Sequence, residues 1–314
     1  MTDTLERQQL GNSATSEYRV RAAHDPRELE AVLSEDRPLA AYALGHLERD
    51  LFESASFYIA EGPAGDGVVM HARGMGLATI TLGAPDAVES ILSVHPGPRR
   101  SYLSTTSPDK LPMLRRIYRV TDELSMCRMS TTRDRFTAKS GEARRLTGRD
   151  VGRLNNLYAS EGGPSFYRAD TITRAVYYGI FDGPRLVAVA GSHIVAPNTS
   201  IAVVGNVFTD AAYRGSGLAT ITTSAVTEAL FTRGCADIVL TVNPANTPAV
   251  HAYRRLGYVF GSNVVEARIR RKDILGIGPA LRRRAAQLRG QYEIPSGTEI
   301  ILRSRHREQG ISSR

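Results

Sequence analysis

Six consecutive residues, Arg214, Gly215, Ser216, Gly217, Leu218 and Ala219, carry the clearest chemical potential in the chain. They follow an apolar run at 202–209 and precede 218–233, a stretch with helical pattern and no glycine or proline. A helix start leaves four backbone N–H groups without partners at the positive end of its dipole. Glycines just before it remove the Cβ atoms that would hold an anion away, so the segment reads as a cradle for a pyrophosphate. The chain contains its own control. Arg73-Gly74-Met75-Gly76-Leu77-Ala78-Thr79-Ile80 matches 214–221 at every position but the third. There the following residues are β-formers, and Gly83 and Pro85 interrupt any helix, so the first copy reads as a turn between two strands.

Downstream, Asn246, Ala249, Tyr253, Gly257 and Tyr258 fall on a short strand–helix–strand pattern. Together with Val207-Phe208-Thr209 and 214–219 they resemble the signature of the GNAT superfamily of acyl-CoA-dependent N-acetyltransferases. The resemblance covers about 143–271. It implies that the 214–219 amides hold the CoA pyrophosphate and that the backbone of Val207, Phe208 and Thr209 bonds the pantetheine arm. It also implies that Asn246 contacts the pantetheine or orders a water, and that Tyr253 points its hydroxyl at the thioester sulfur. An amine attacking a thioester expels a thiolate, to which a phenol of pKa about 10 can give a proton. Plainer roles stand beside these: Tyr253 as a packed helix residue with its hydroxyl at the rim, Asn246 as a helix cap, Arg254 and Arg255 as a solvated face.

No residue is singled out as the base. Some family members carry a glutamate early on the strand before the phosphate loop, and the matching place here is near apolar Ile201. Asn206 is the polar side chain within 202–208. His193, near the end of the preceding strand, suits by its ordinary pKa, and Glu161 lies in the Glu161-Gly162-Gly163-Pro164 loop. Asn206, His193 and Glu161 are the candidate substrate or base residues, a base acting directly or through water, and the amine can also arrive partly deprotonated.

Positioning these groups takes a second α/β unit. It starts with a helix at 147–158 and strands at 175–181, 185–195 and 200–208. A helix at 218–233, a strand at 237–242, a helix at 247–256 and a hairpin over 258–271 follow. A meander followed by helix and strand excludes a doubly wound dinucleotide fold. The order fits an α/β (α+β) class, and the resemblance implies a GNAT-like mixed sheet flanked by helices. A first α/β domain precedes it, expected as a degenerate GNAT-like copy because 101–105 followed by 111–118 echoes 239–242 followed by 248–255. Expected boundaries are a disordered leader at 1–16, the degenerate domain at 17–139, the catalytic domain at 140–272 and a basic extension at 273–314. Tyr42, His46, Phe52 and Tyr58 are candidates to line the acceptor pocket or, more plainly, core aromatics.

Composition narrows the function classes. The net charge of +8 sits entirely in 268–314, where 12 Lys/Arg face 4 Asp/Glu, so a uniformly basic nucleic-acid surface is not indicated. No apolar run reaches 18 residues, no signal-peptide pattern opens the chain, and the two cysteines make no disulfide framework. A cytoplasmic protein without a metal site is expected. The expected activity moves an acetyl group from acetyl-CoA, the co-substrate, to a primary amine of a small molecule by direct attack in a ternary complex. A protein or peptide N-acetyltransferase, and a non-catalytic acyl-CoA sensor, are the alternatives. The tail, with Arg282-Arg283-Arg284 in a helix at 279–289 and a strand at 298–303, reads as a solvated tail, an addition to the sheet or a weak nucleic-acid contact.

Overall fold

The computed structural model describes residues 17–73, 76–163, 165–273 and 276–292. The expected leader at 1–16 and the strand at 298–303 lie outside the described residues. In chain order the first half runs β1 (Arg19–Ala23), α1 (Pro26–Leu33), α2 (Arg37–Gly45), α3 (Arg49–Phe52), β2 (Ala55–Glu61), β3 (Gly67–Ala72) and β4 (Ala78–Gly83). It continues with α4 (Pro85–Val94), β5 (Arg100–Thr105), α5 (Leu111–Ile117) and β6 (Tyr118–Thr131). The second half runs β7 (Arg144–Arg145), α6 (Val151–Ala159), α7 (Ala169–Arg174), β8 (Tyr177–Asp182), β9 (Arg185–Ala196) and β10 (Ile201–Thr209). It ends with α8 (Leu218–Thr232), β11 (Asp237–Val242), α9 (Thr247–Arg255), β12 (Val259–Arg271) and α10 (Ile277–Leu288).

Apart from the single turn α3 and the terminal α10, one order occurs twice: strand, two helices, three strands, helix, strand, helix, strand. The pairing repeats as well. β1–β2, β2–β3 and β3–β4 are antiparallel and β4–β5 is parallel. β7–β8, β8–β9 and β9–β10 are antiparallel and β10–β11 is parallel. The chain is thus a tandem of two equivalent αβ repeats. The sequence 73–77, echoing the phosphate loop, falls between β3 and β4, which pair antiparallel with Ala72 opposite Ala78. Gly74 and Met75 within it are outside the described residues.

The described residues cluster into two compact units, each made of separate stretches of the chain. Among the described residues, one unit contains 17–24 with those of 55–121 and 267–292; the other contains 25–54 with those of 122–266. Each unit therefore takes its last strand from the other repeat. In the first, the end of β12 pairs antiparallel with β5, Ala267 opposite Leu103. In the second, the end of β6 pairs antiparallel with β11, Ile238 opposite Thr131. α1 and α2 also belong to the second unit, where Arg37 binds Asp237 at 2.7 Å and the Thr199 carbonyl at 2.6 Å. The stretch 258–271 is one strand rather than a hairpin. Gly261, Ser262 and Asn263 are turn formers locally, but pairing with β5 at its far end keeps the segment extended.

The first unit packs Val69, Val88, Ile91, Leu92, Leu103, Leu114, Tyr118 and Ile269 in one core. The second has a core of Met129, Ala202, Val204, Val226, Leu230, Ile238, Leu240 and Leu256 under α8 and α9. A satellite of Leu146, Leu154, Leu157, Ile172 and Val189 lies under α6. Each fully buried Leu, Ile or Val contributes about 1.5–3 kcal/mol relative to exposure. No helix of the described residues is long and apolar enough to cross a membrane.

Candidate functional site

The second unit opens along its parallel strand pair. β10 and β11 are in register from Ile201↔Asp237 to Val204↔Leu240, yet β10 runs on to Thr209. On its other side, the register with β9 shifts between Gly205 and Phe208, where three steps on β10 oppose two on β9. One extra residue makes a bulge, which bends and twists the strand. Asn206 absorbs it at φ 54°, a left-handed conformation that asparagine tolerates better than most residues. Beyond Val204, the β11 side of Gly205, Asn206, Val207, Phe208 and Thr209 carries no strand pairing among the described residues. An extended ligand can take those backbone groups as a pseudo-strand.

β10 leads through a 3-10 turn at Ala211–Tyr213 into the glycine loop. Gly215 has φ 81° and Gly217 φ 78°, and Gly217 is the N-cap of α8. A Cβ built on either glycine meets no atom within 4 Å, so the space above the helix start is open to an anion. Arg214 turns back from the loop: Nε donates to the Thr209 carbonyl at 3.1 Å and the guanidinium pairs with the Glu161 carboxylate. Glu161 thus faces a cation at the mouth of the loop; Pro164, two residues beyond Gly162, lies outside the described residues.

Asn246 caps α9, accepting from the Ala249 N–H at 3.3 Å. Tyr253, two turns along, is 7 % exposed. Burial alone pushes its phenol up to about 12, so it is fully protonated near neutral pH. None of the hydrogen bonds among the described residues uses its hydroxyl, and its ring packs near Tyr258, with centroids 6.1 Å apart.

The structure also gathers groups around the bulge. Tyr158 of α6 donates to the Asn206 carbonyl at 2.6 Å, Tyr167 donates to Oδ1 at 3.0 Å, and Nδ2 donates to the Tyr177 hydroxyl at 2.7 Å. The His193 ring also hydrogen-bonds the Asn206 side chain. His193 packs against Gly205: a Cβ there would come within 2.3 Å of the imidazole. Its Nδ1 is 2.7 Å from the hydroxyl of Tyr42 on α2, and the Arg128 guanidinium lies 4.9 Å from the Tyr42 ring centre. Desolvation is the main force lowering the His193 pKa, opposed by the Asn206 hydrogen bond and aided by Arg128. Burial pushes Tyr42 up to about 12 against the pull of Arg128.

Of the residues read from sequence, the structure brings together His193 and Asn206 at the bulge and Arg214 with Glu161 at the loop. Tyr158, Tyr167, Tyr177 and Arg128 were not singled out in the sequence. The aromatic content of 158–167 was the available signal for two of them. Tyr42 does face this cluster, and His46 Nδ1 bonds the Tyr42 carbonyl at 2.7 Å behind it. Tyr58 belongs to the other unit, stacked on His95 at 4.0 Å.

Comparison with known proteins assigns a stretch of this chain. The model of the acetyltransferase (GNAT) family matches residues 152–258. A GNAT-family protein from Novosphingobium aromaticivorans is 20 % identical, with TM-score 0.54 over 76 % of this chain and 100 % of its own. A Drosophila protein is 14 % identical, with TM-score 0.59 over 80 % of this chain and 98 % of its own. A GCN5-related N-acetyltransferase from Kribbella flavida is 16 % identical, with TM-score 0.50 over 78 % and 96 %. These likenesses establish a shared fold. No curated protein matches the chain.

Proposed function

We propose that the chain acetylates a primary amine of a small molecule, a reading supported by the match of residues 152–258 to the GNAT acetyltransferase family, a family of acyl-CoA-dependent acetyl transfer. The carrying observation is the bulged, half-unpaired β10 ending in a glycine loop with open space above the start of α8. In this reading Val207, Phe208 and Thr209 hold the pantetheine arm through their backbone, with Asn246 beside it. The amides of Arg214, Gly215, Ser216, Gly217, Leu218 and Ala219 hold the pyrophosphate. When bound, acetyl-CoA supplies the activated acetyl thioester.

The chain's own groups then handle the protons. In the tautomer with its proton on Nδ1, His193 donates to the Tyr42 oxygen and Nε2 carries no proton. Its lowered pKa keeps that nitrogen unprotonated near neutral pH, ready to take a proton from the amine directly or through a water. The resulting imidazolium keeps the Tyr42 oxygen as acceptor at Nδ1 and is favoured by its hydrogen bond to the Asn206 side chain. Tyr253, fully protonated, gives its proton to the departing sulfur. Glu161, held by Arg214, serves the loop mouth in this scheme rather than the amine. The tyrosines packed around Asn206 form a compact aromatic wall, which favours a small acceptor over a protein segment.

The test is thiol release from acetyl-CoA across a panel of amines, amino acids and peptides, beside a melting curve. Acetyl-CoA at a hundredfold excess over Kd stabilises the native state by about 2.7 kcal/mol. Turnover with small amines but not peptides is the expected result. Peptide-only turnover overturns the small-acceptor reading, and a melting shift without any turnover makes the protein an acyl-CoA sensor. No shift at millimolar acetyl-CoA sinks the assignment.

A further inference from the structure

The first unit carries a cationic cavity that the acetyl-transfer reading does not use. In the β5–β12 pair Arg268 stands opposite Tyr102 and Arg270 opposite Arg100. Strand alternation exposes these four side chains on one face and buries Ser101, Leu103, Ala267 and Ile269 on the other. They line a cavity of about 360 Å³ together with Arg119, at the start of β6, and Leu77. No acidic side chain is among its lining residues. Tyr102 is 39 % and Leu77 47 % exposed, so the cavity presents an aromatic and an aliphatic surface beside its guanidinium groups.

Two arginines directly opposite across a strand pair repel each other. Arginine cannot shed its charge, so a counter-anion is the means of relieving that repulsion. A guanidinium presents a planar fork that grips phosphate or carboxylate oxygens two at a time and also stacks on aromatic faces. The volume falls in the range of small-molecule sites, roughly 300–1,000 Å³.

We propose that this cavity is a second ligand site, taking a small multivalent oxyanion attached to a planar ring. Arg100, Arg119 and Arg270 bind the charges, and the ring lies against Tyr102. Phosphate esters and polycarboxylates share that chemistry. The site differs in kind from the glycine loop: side chains on strands hold the anion here, with no helix start and no backbone cradle.

The chain has no tryptophan, so Tyr102→Trp introduces a single reporter within the cavity. Its fluorescence is titrated with ATP, pyrophosphate and citrate, each also in competition with ATP. ATP is expected to quench it saturably. Competition by pyrophosphate alone identifies phosphate as the charge source, and competition by citrate as well extends the site to polycarboxylates. Raising salt from about 0.1 to about 1 M, which shortens the screening length from about 10 to about 3 Å, should weaken binding. In the reporter background, Arg100→Ser with Arg270→Ser should raise the ATP Kd at least about tenfold, and Arg119→Ser offers an independent removal from another strand. Arg270→Lys, which keeps the charge but not the fork, should fall between. Acetyl-CoA turnover by the same variants reports their folding. No saturable change with any of the three anions up to about 10 mM, or an unchanged Kd in folded arginine variants, overturns the proposal.

Discussion

The hydroxyl of Tyr42 lies 2.7 Å from Nδ1 of His193, although 151 residues separate them in the chain. α2 comes from the first repeat and β9 from the second, so a ring proposed for proton transfer is oriented by a helix of the other copy. Tyr42→Phe removes that anchor with little volume change. The loss of an acceptor for Nδ1–H disfavours the imidazolium, so the acid limb of the rate profile should move further below pH 6.5, with kcat falling about tenfold. His193→Gln should abolish the limb and cost about 10²-fold or more. Superimposable pH profiles for wild type and both variants would make the pair structural.

Gly217→Val places a branched Cβ at φ 78°, in the open space over the α8 start, and should abolish acetyl-CoA binding. Gly76→Val, at φ 103° in the segment that echoes the loop, should leave affinity intact in folded protein. Equal loss in two folded variants, measured by calorimetric titration, would show that the wrong glycine loop was chosen.

Tyr253→Phe should leave acetyl-CoA affinity nearly constant, because the ring packing survives. The transfer rate should fall roughly 10²–10⁴-fold, with kcat and kcat/KM falling together. An unchanged kcat under rate-limiting chemistry would return Tyr253 to the role of a packed helix residue.

Acid should begin to destabilise the first unit below about pH 6.5, through two buried histidines. Burial lowers His71 to about 4 and His95 to about 3, the latter with help from Arg283 and His71. His71 Nε2 lies 3.1 Å from the His95 carbonyl, and His95 Nε2 lies 3.0 Å from the Tyr292 hydroxyl. Both rings are neutral when folded, so below pH 6.5 the unfolded chain binds more protons and stability is lost as pH falls toward about 4 and then 3. Two and a half pH units on His71 correspond to a contribution on the order of 3 kcal/mol. His71→Gln should flatten the decline in urea-melt stability between pH 6.5 and 4. An unchanged slope would remove His71 from the account.

The local parts of this molecule were legible in the sequence. The glycine loop, the cap at Asn246 and the strand meander follow from short-range rules, and the place of 73–77 between two strands follows from Gly83 and Pro85. Asn206 stood out as a polar residue in an apolar strand, but its positive φ depends on a register shift against β9 that no periodicity reveals. Tyr158, Tyr167 and Tyr177 are each ordinary core aromatics in their own segments; only the fold converges them on one asparagine. Periodicity likewise marks 26–33 and 37–45 as helices without saying which sheet they cover. Gly261, Ser262 and Asn263 read as a turn because the extended state of β12 is enforced at the other end of the strand.

The exchange of final strands sets a timetable for the nascent chain. β5 is complete at residue 105, yet the strand that covers its edge begins pairing at Ala267. At about 5–20 residues per second, the ribosome takes on the order of ten to thirty seconds to supply it. Through that interval the first repeat waits with an open sheet edge, while the second repeat receives its own closing strand, 127–131, before β11 is even synthesised. A chain cut short anywhere before about residue 260 never closes β5, so premature termination yields a molecule with an adhesive edge rather than a shorter enzyme.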